Sequence, residues 1–200
     1  MRFGSNSSAG RVLRRAGRRF ANVHSMMKGL VAGAIGGLIG TWAMNDAQRA
    51  WTRAVGDQPP ESAAGKHDAR DWQERHEHQN SNELAAQAVA CYLIGRRLTR
   101  EELGIAAPVV HYSFGAVVGA IYGAYVERRQ RGSGAWLGTT VWLAADVVAM
   151  PALGLSEPTT RRPIEMHMQS LAAHLVYGAM TESVRRSVQT QLEPPLPSAA

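Results

Sequence analysis

Four long stretches of this chain are almost free of charge, and such stretches have few ways to fold. Lys28 to Asp46 encloses 17 uncharged residues, GLVAGAIGGLIGTWAMN. Glu102 to Glu127 encloses 24, and Arg131 to Glu157 encloses 25 with Asp146 as the single charge. Glu165 to Glu182 encloses 16, His167 and His174 among them. An α-helix needs roughly 17 to 25 mostly apolar residues to cross about 30 Å of hydrocarbon. A helix on a soluble protein shows a charged face every few residues, whereas the 24-residue stretch shows none. The glycines crowd into the apolar runs, a habit of membrane helices. The pattern predicts four spans, at about 28–46, 104–126, 133–155 and 166–184. The competing reading is a soluble Ala- and Gly-rich bundle. A fifth run, LAAQAVACYLIG at 84–95, has 12 residues and is too short to span.

The averages point elsewhere until they are divided by position. Mean hydropathy is −0.21 and net charge +6, figures that suit a soluble basic protein. With the N-terminus inside, segments 1–28, 127–133 and the tail from Glu182 hold a balance of +9, while 46–102 and 157–165 hold −2. That asymmetry follows the positive-inside rule, which weighs short basic loops such as Glu127-Arg-Arg-Gln-Arg131 most heavily. A nucleic-acid partner is not expected, because Arg11, Arg14, Arg15, Arg18 and Arg19 lack an aromatic or folded platform. Arg18-Arg19-Phe20 ahead of an apolar run resembles a twin-arginine signal peptide. The run ends in Trp42-Ala43-Met44-Asn45-Asp46, no clear cleavage site, so a retained first helix is expected. The single cysteine, Cys91, rules out an intrachain disulfide.

The expected fold is an all-α integral membrane bundle of four transmembrane helices with a helical insertion on the outer side. Residues 1–27 read as a disordered basic cytoplasmic tail, 28–186 as the polytopic membrane domain and 187–200 as a disordered tail. The insertion is 47–102; Gly56-Asp57-Gln58-Pro59-Pro60 breaks it, and Asp68 to Arg97 reads as helix. Its apolar part lies on the outer membrane face or packs under the bundle. Pro151 is expected to bend the third span. The halves echo each other: Gly29-x3-Gly33 before Ala43-Met44 matches Gly134-x3-Gly138 before Ala149-Met150, and His111-x3-Gly115-Ala116 matches His174-x3-Gly178-Ala179. Either a parallel repeat or coincidence among small residues accounts for this.

Glycines at a spacing of four stack on one helix face and let another backbone approach. Gly33-x3-Gly37, Gly36-x3-Gly40, Gly115-x3-Gly119-x3-Gly123 and Gly178 are the candidates for such packing. Ionisable residues at membrane depth cost on the order of 2.5–3.5 kcal/mol each on insertion scales, so each needs a reason. Those residues are His111, Asp146, His174 and, two turns beyond His174, Glu182. Three readings are open: hydrogen-bonded glue between helices, a proton- or cation-handling site in which imidazole pairs with carboxylate, and a metal or haem site without a recognisable ligand spacing. In the insertion, His67, Asp68, Asp71, Glu74, His76 and His78 read as a solvated charged face, with His67/Asp71 and Glu74/His78 as i,i+4 pairs; His67, His76 and His78 are weak metal candidates. No nucleophile elbow, phosphate loop or dinucleotide fingerprint is present, so neither enzyme activity nor a cofactor is expected.

From His111 onward the residues support a resemblance. His111-x2-Phe114 precedes a span ending at Val126-Glu127, and a glycine-entered third span leads to Pro151-x2-Gly154-Leu155-x2-Pro158. Ser170-Leu-Ala-Ala-His174-Leu175-Val176 and Glu182-x2-Arg185-Arg186 follow. Over roughly 108–188 the chain resembles the YagU-like inner-membrane family, a bacterial domain of unknown function. The resemblance implies a small polytopic inner-membrane protein without an established catalytic activity. Two departures stand out: the His-rich segment 66–78, and Asp146 where a histidine would be expected.

The leading expectation is a non-enzymatic multi-pass protein of the bacterial inner membrane, both termini cytoplasmic, whose interior His/Asp set responds to protons or cations in envelope pH homeostasis. The alternatives are a structural or assembly subunit, docking through Gly-x3-Gly faces to a larger membrane complex or to further copies of itself, and a haem- or metal-binding membrane protein. The lipid bilayer is the partner common to all three.

Overall fold

The computed structural model describes residues 8–55, 81–129, 132–156 and 164–192. Every regular element among them is helical. Helix α1 is Ser8–Val55, α2 is Ser81–Ile94 and α3 is Arg100–Arg129. Helix α4, Gly134–Val141, continues through π-helical turns at Trp142–Ala149 into a last short turn, α5, at Met150–Ala152. Helix α6 is Ile164–Leu192.

Several boundaries differ from the expected ones, each for a local reason. Helix α1 is 48 residues long and reaches well into the segment expected to be a disordered tail; no proline interrupts Ser8–Val55, and Ala, Arg and Leu favour continued helix. Helix α6 also runs past 186 to Leu192. Its last residue stands two before Pro194, and helices usually end at or before the residue preceding a proline. The insertion helix ends at Ile94 rather than Arg97, because Gly95 adopts φ +71° and donates its N–H to Cys91 O at 3.1 Å, a left-handed cap. Residues 56–80, with the expected break at Gly56–Pro60 and the histidines at 67, 76 and 78, lie outside the described residues.

The start of α3 is fastened by a capping box. Thr99 Oγ1 accepts from Glu102 N at 3.3 Å while Thr99 N–H donates to Glu102 Oε2 at 2.8 Å. Arg96 grips the same carboxylate through two N–H donors, at 2.9 and 2.6 Å. Ser133 caps α4 by accepting from Trp136 N at 3.4 Å. Pro151 disturbs the helix of the third apolar run near its end: its ring crowds the carbonyl four residues back and its nitrogen donates nothing, and the wider π turns end two residues before it. The chain then turns at Gly154, φ +68°, where Leu155 N–H donates to Met150 O at 2.9 Å and Gly154 N–H to Pro151 O at 3.0 Å. That pair of bonds is a Schellman motif, and it explains the Pro-x2-Gly-Leu spacing.

Helices α1 and α3 run antiparallel with their backbones in contact. A Cβ built at Gly33 would collide with Gly119 O, one at Gly37 with Gly115 O and one at Gly123 with Gly29 O. A second face of α1 meets α6: Cβ atoms at Gly36 and Gly40 would come within 2.5 Å of Thr181 O and 2.8 Å of Tyr177 O. Helix α6 meets α4 in the same way, Gly134 against Gly178 and Gly138 against the carbonyl of His174. Met44, Tyr122, Val126, Leu137, Ala173 and Tyr177 form the apolar cluster among these helices. Helix α2 lies on the first turns of α3, Ala86 against Leu103 and Ala107.

The packing is small inside and large outside. The largest fully buried side chains among the described residues are two threonines, Thr41 and Thr181. Ile35, Leu38, Trp42, Phe114, Val117, Ile121, Trp136, Leu143 and Val148 are exposed. A water-soluble core would reverse that order. Three helical stretches are long and apolar enough to cross a membrane: Val23–Ala54, Arg100–Glu127 and Gly134–Ala152.

Substitution at the closest approach should therefore be costly and substitution in open space harmless. Gly119→Val forces α1 and α3 apart and should cost at least about 1–3 kcal/mol, the range for overpacking. Gly104, with nothing within 4 Å of a built Cβ, should accept Ala with unchanged or slightly raised stability. Thermal unfolding of the two variants in detergent checks the contrast.

Candidate functional site

The polar residues of the bundle interior fall into two groups at opposite ends of α6. At the first end, His111 Nε2 on α3 pairs with Asn45 Oδ1 on α1 at 3.2 Å. Asn45 Nδ2 reaches Tyr112 OH at 3.5 Å. On the other side, Ser170 on α6 joins two of the candidate residues. Its hydroxyl donates to Asp146 Oδ2, and its backbone carbonyl accepts from His174 Nδ1 at 2.9 Å. A carbonyl only accepts, so that nitrogen of His174 carries a proton. His174 is buried. Asp146 and His174 thus meet at Ser170, while His111 on α3 pairs with Asn45 on α1.

Asp146 sits in the middle of the π-helical turns. Such turns rotate the side chains that follow relative to an α-helix, and they recur at functional sites. Trp142, in the first π position, meets the ring of His167 edge-on, with centroids 6.5 Å apart and planes at 86°. One turn inward from His174, the Tyr177 hydroxyl donates to Gly115 O at 2.8 Å, crossing from α6 to α3. Thr41 Oγ1 donates to Gly37 O at 2.8 Å within α1. These two bonds satisfy the Tyr177 and Thr41 hydroxyls where the helices touch.

Glu182 does not join that set. Eight residues, about 12 Å along the helix, separate it from His174, and it anchors the second group. Arg185 Nε and Nη2 donate to Glu182 Oε2 and Oε1 at 2.7 and 2.9 Å. Arg186 Nε donates to Oε1 at 2.6 Å. Arg185 Nη1 donates to Gln189 Oε1 and lies 3.7 Å from Glu127 Oε1. The Ser25 hydroxyl donates to Glu127 Oε2 at 2.7 Å, drawing in α1. The Arg185 side chain is only 5% exposed, that of Arg186 65%. Tyr122 OH and Glu182 Oε1 close over Gly132, where a Cβ would stand 2.9 and 3.0 Å from them.

Among the described residues no group of three His, Cys, Asp or Glu side chains is placed to hold a metal ion. The glycines Gly33, Gly37, Gly115, Gly119, Gly123 and Gly178 all face neighbouring helices of the same chain. Asn45, Ser170, Arg185 and Glu127 belong to the two groups without having been candidate site residues in the sequence. Glu127 had a visible signal, a charge at the end of an uncharged run.

The second group has a direct energetic consequence. Glu182→Gln leaves the Arg185 guanidinium buried without its main counter-charge. Breaking a buried pair in this way costs about 3–5 kcal/mol, whereas removing the exposed partner in Arg186→Gln should cost about 0–1 kcal/mol. Melting temperatures of the two variants in detergent should differ in that order.

Residues 96–183 match the family described as "Protein of unknown function (DUF1440)". No curated protein and no solved structure matches the chain. The matched stretch starts just ahead of the Thr99 capping box and ends just after Glu182. It contains His111, Asp146, His174 and Glu182, and leaves out α1 together with Arg185 and Arg186. Residues 96–183 are thus similar to an uncharacterised domain family whose stretch takes in part of each interior group.

Proposed function

We propose that the chain is a four-span protein of a bacterial inner membrane, non-enzymatic and YagU-like, with both termini in the cytoplasm. We further propose that His111, Asp146 and His174 form a proton-responsive set in its interior, in the service of envelope pH homeostasis. The observation that carries this reading is the convergence of Asp146 and His174 on Ser170, deep among helices of membrane-crossing length.

The fourth span is α6. Its uncharged stretch, 166–181, rises about 24 Å as a helix, close to the hydrocarbon thickness. Its low hydropathy comes from polar residues that packing turns inward: His174, Thr181, Glu182 and Arg185 are buried, whereas Ile164, Met166 and Met168 are exposed. A helix whose polar groups find partners inside the bundle needs no uniformly apolar sequence. The cluster of arginines at the 1–28, 127–133 and 182–186 ends supports the cytoplasmic orientation. The overlap of residues 96–183 with the stretch bearing the YagU-like resemblance supports the family assignment.

Imidazole titrates between pH 5 and 8, and a carboxylate sharing a serine with it changes hydrogen-bonding when either gains a proton. The reading as an assembly subunit loses its proposed docking faces, since the glycines pack within the chain; a partner would have to use the large apolar residues outside. The haem or metal reading draws no support from the described residues.

Infrared difference spectra between pH 5 and pH 8, taken on protein reconstituted in lipid, test the proton-responsive set. Carboxyl and imidazole bands should be present and should be lost in Asp146→Asn and His174→Gln respectively. Spectra of both variants that superimpose on the wild type would sink the proposal.

A further inference from the structure

The second interior group borders a cleft that the proton-responsive reading does not use. The cleft has a volume of about 500 Å³ and lies where the end of α3 meets α1 and the second half of α6. His24, Lys28, Glu127, Glu182, Arg185 and Arg186 supply its titratable lining. Two carboxylates face three permanent cations, and neither carboxylate is idle. Glu182 is held by both arginines, and Glu127 accepts from Ser25 and neighbours Arg185. Arg186 spends its Nε–H on Glu182; among the described residues its Nη donors take no partner. Gly132 forms part of the lining, at a position where a Cβ would press on Tyr122 and Glu182.

Depth along the helices then selects the ligand. His24 and Lys28 stand in the first turns of the apolar stretch Val23–Ala54, and Glu127 ends the stretch Arg100–Glu127. The cleft is therefore level with the edge of the apolar belt. Basic pockets between helices at that level, on the side that the arginine bias marks as cytoplasmic, meet the headgroups of anionic lipids. A guanidinium offers paired N–H donors that match phosphate oxygens, and a lysine adds a point charge.

We infer that this cleft is a binding site for an anionic phosphate group, with Arg186 and Lys28 as its ligands and Arg185 as the buried charge that orders them. The site takes the headgroup phosphate of an anionic phospholipid or a free phosphate. It requires the helix packing and is independent of the Asp146–His174 reading.

The test is native mass spectrometry of the full chain, released from neutral detergent, with phosphatidylglycerol, phosphatidylcholine or inorganic phosphate as the probe. Phosphatidylglycerol should be retained over phosphatidylcholine, and Arg186→Gln or Lys28→Gln should each weaken retention about fivefold, the effect of one basic residue near an anionic surface. Arg186→Lys should recover most of the binding. Binding of inorganic phosphate that both Gln variants weaken, without a preference between the lipids, supports the site with free phosphate as its source. Equal retention of both lipids with no phosphate binding overturns the proposal, as does wild-type binding by both Gln variants. Lys28→Gln carries the test alone if Arg186→Gln fails to fold, since Lys28 stands on α1 and the Glu182–Arg185 pair on α6.

Discussion

Backbone-to-backbone contact at glycine is the interaction on which the rest of this fold depends. With no Cβ at Gly33, Gly37, Gly115, Gly119 and Gly123, α1 and α3 approach until one helix's carbonyls lie against the other's α-carbons. Helix α6 repeats the contact with α1 at Gly36 and Gly40 and with α4 at Gly134 and Gly138. Helices this close leave no room between them for leucines and phenylalanines, so the large apolar residues turn outward. In water that arrangement would expose much of the apolar surface; against lipid tails it is the stable one, because association there comes from close packing and polar contacts rather than from hiding hydrocarbon.

The same closeness dictates how polar groups behave. A hydroxyl or imidazole in so tight an interior bonds to whatever backbone is adjacent, as Tyr177 does to Gly115 and His174 to Ser170. The charges buried most deeply are paired near one end of the bundle, as at Glu182 and Arg185, while Asp146 accepts from the Ser170 hydroxyl. Helix α6 carries most of these groups, and this accounts for its low hydropathy even though it packs against both α1 and α4.

How much of this was legible in the sequence depended on spacing and charge. Glycines four apart declare a helix face without further information, and Asp146 declares itself as a lone charge in an apolar run. Neutral partners do not: Asn45 and Ser170 look like any other polar residues, and only the crossing of helices brings them to His111 and Asp146. Arg185 and Arg186 are identical as letters, yet 100° of helical rotation buries one and leaves the other exposed. The π-helical turns were hidden for a different reason, since the proline that follows them predicts a disturbance but not its form. The Thr99-x2-Glu102 capping box was readable and marks the start of α3 to the residue. At 8–27 and 187–192 the chain is helical where the tails were expected to be disordered, because polarity alone does not stop a helix that no proline interrupts.

The central claim is that the polar helix α6 crosses the membrane, and the side on which its end emerges decides it. Cys91 on α2 is exposed, and Ser187 near the end of α6 is exposed as well. A membrane-impermeant maleimide applied to sealed vesicles of known orientation should label native Cys91 from one face only. Ser187→Cys in a Cys91→Ser background should be labelled from the opposite face only. Labelling of both positions from the same face would contradict the account.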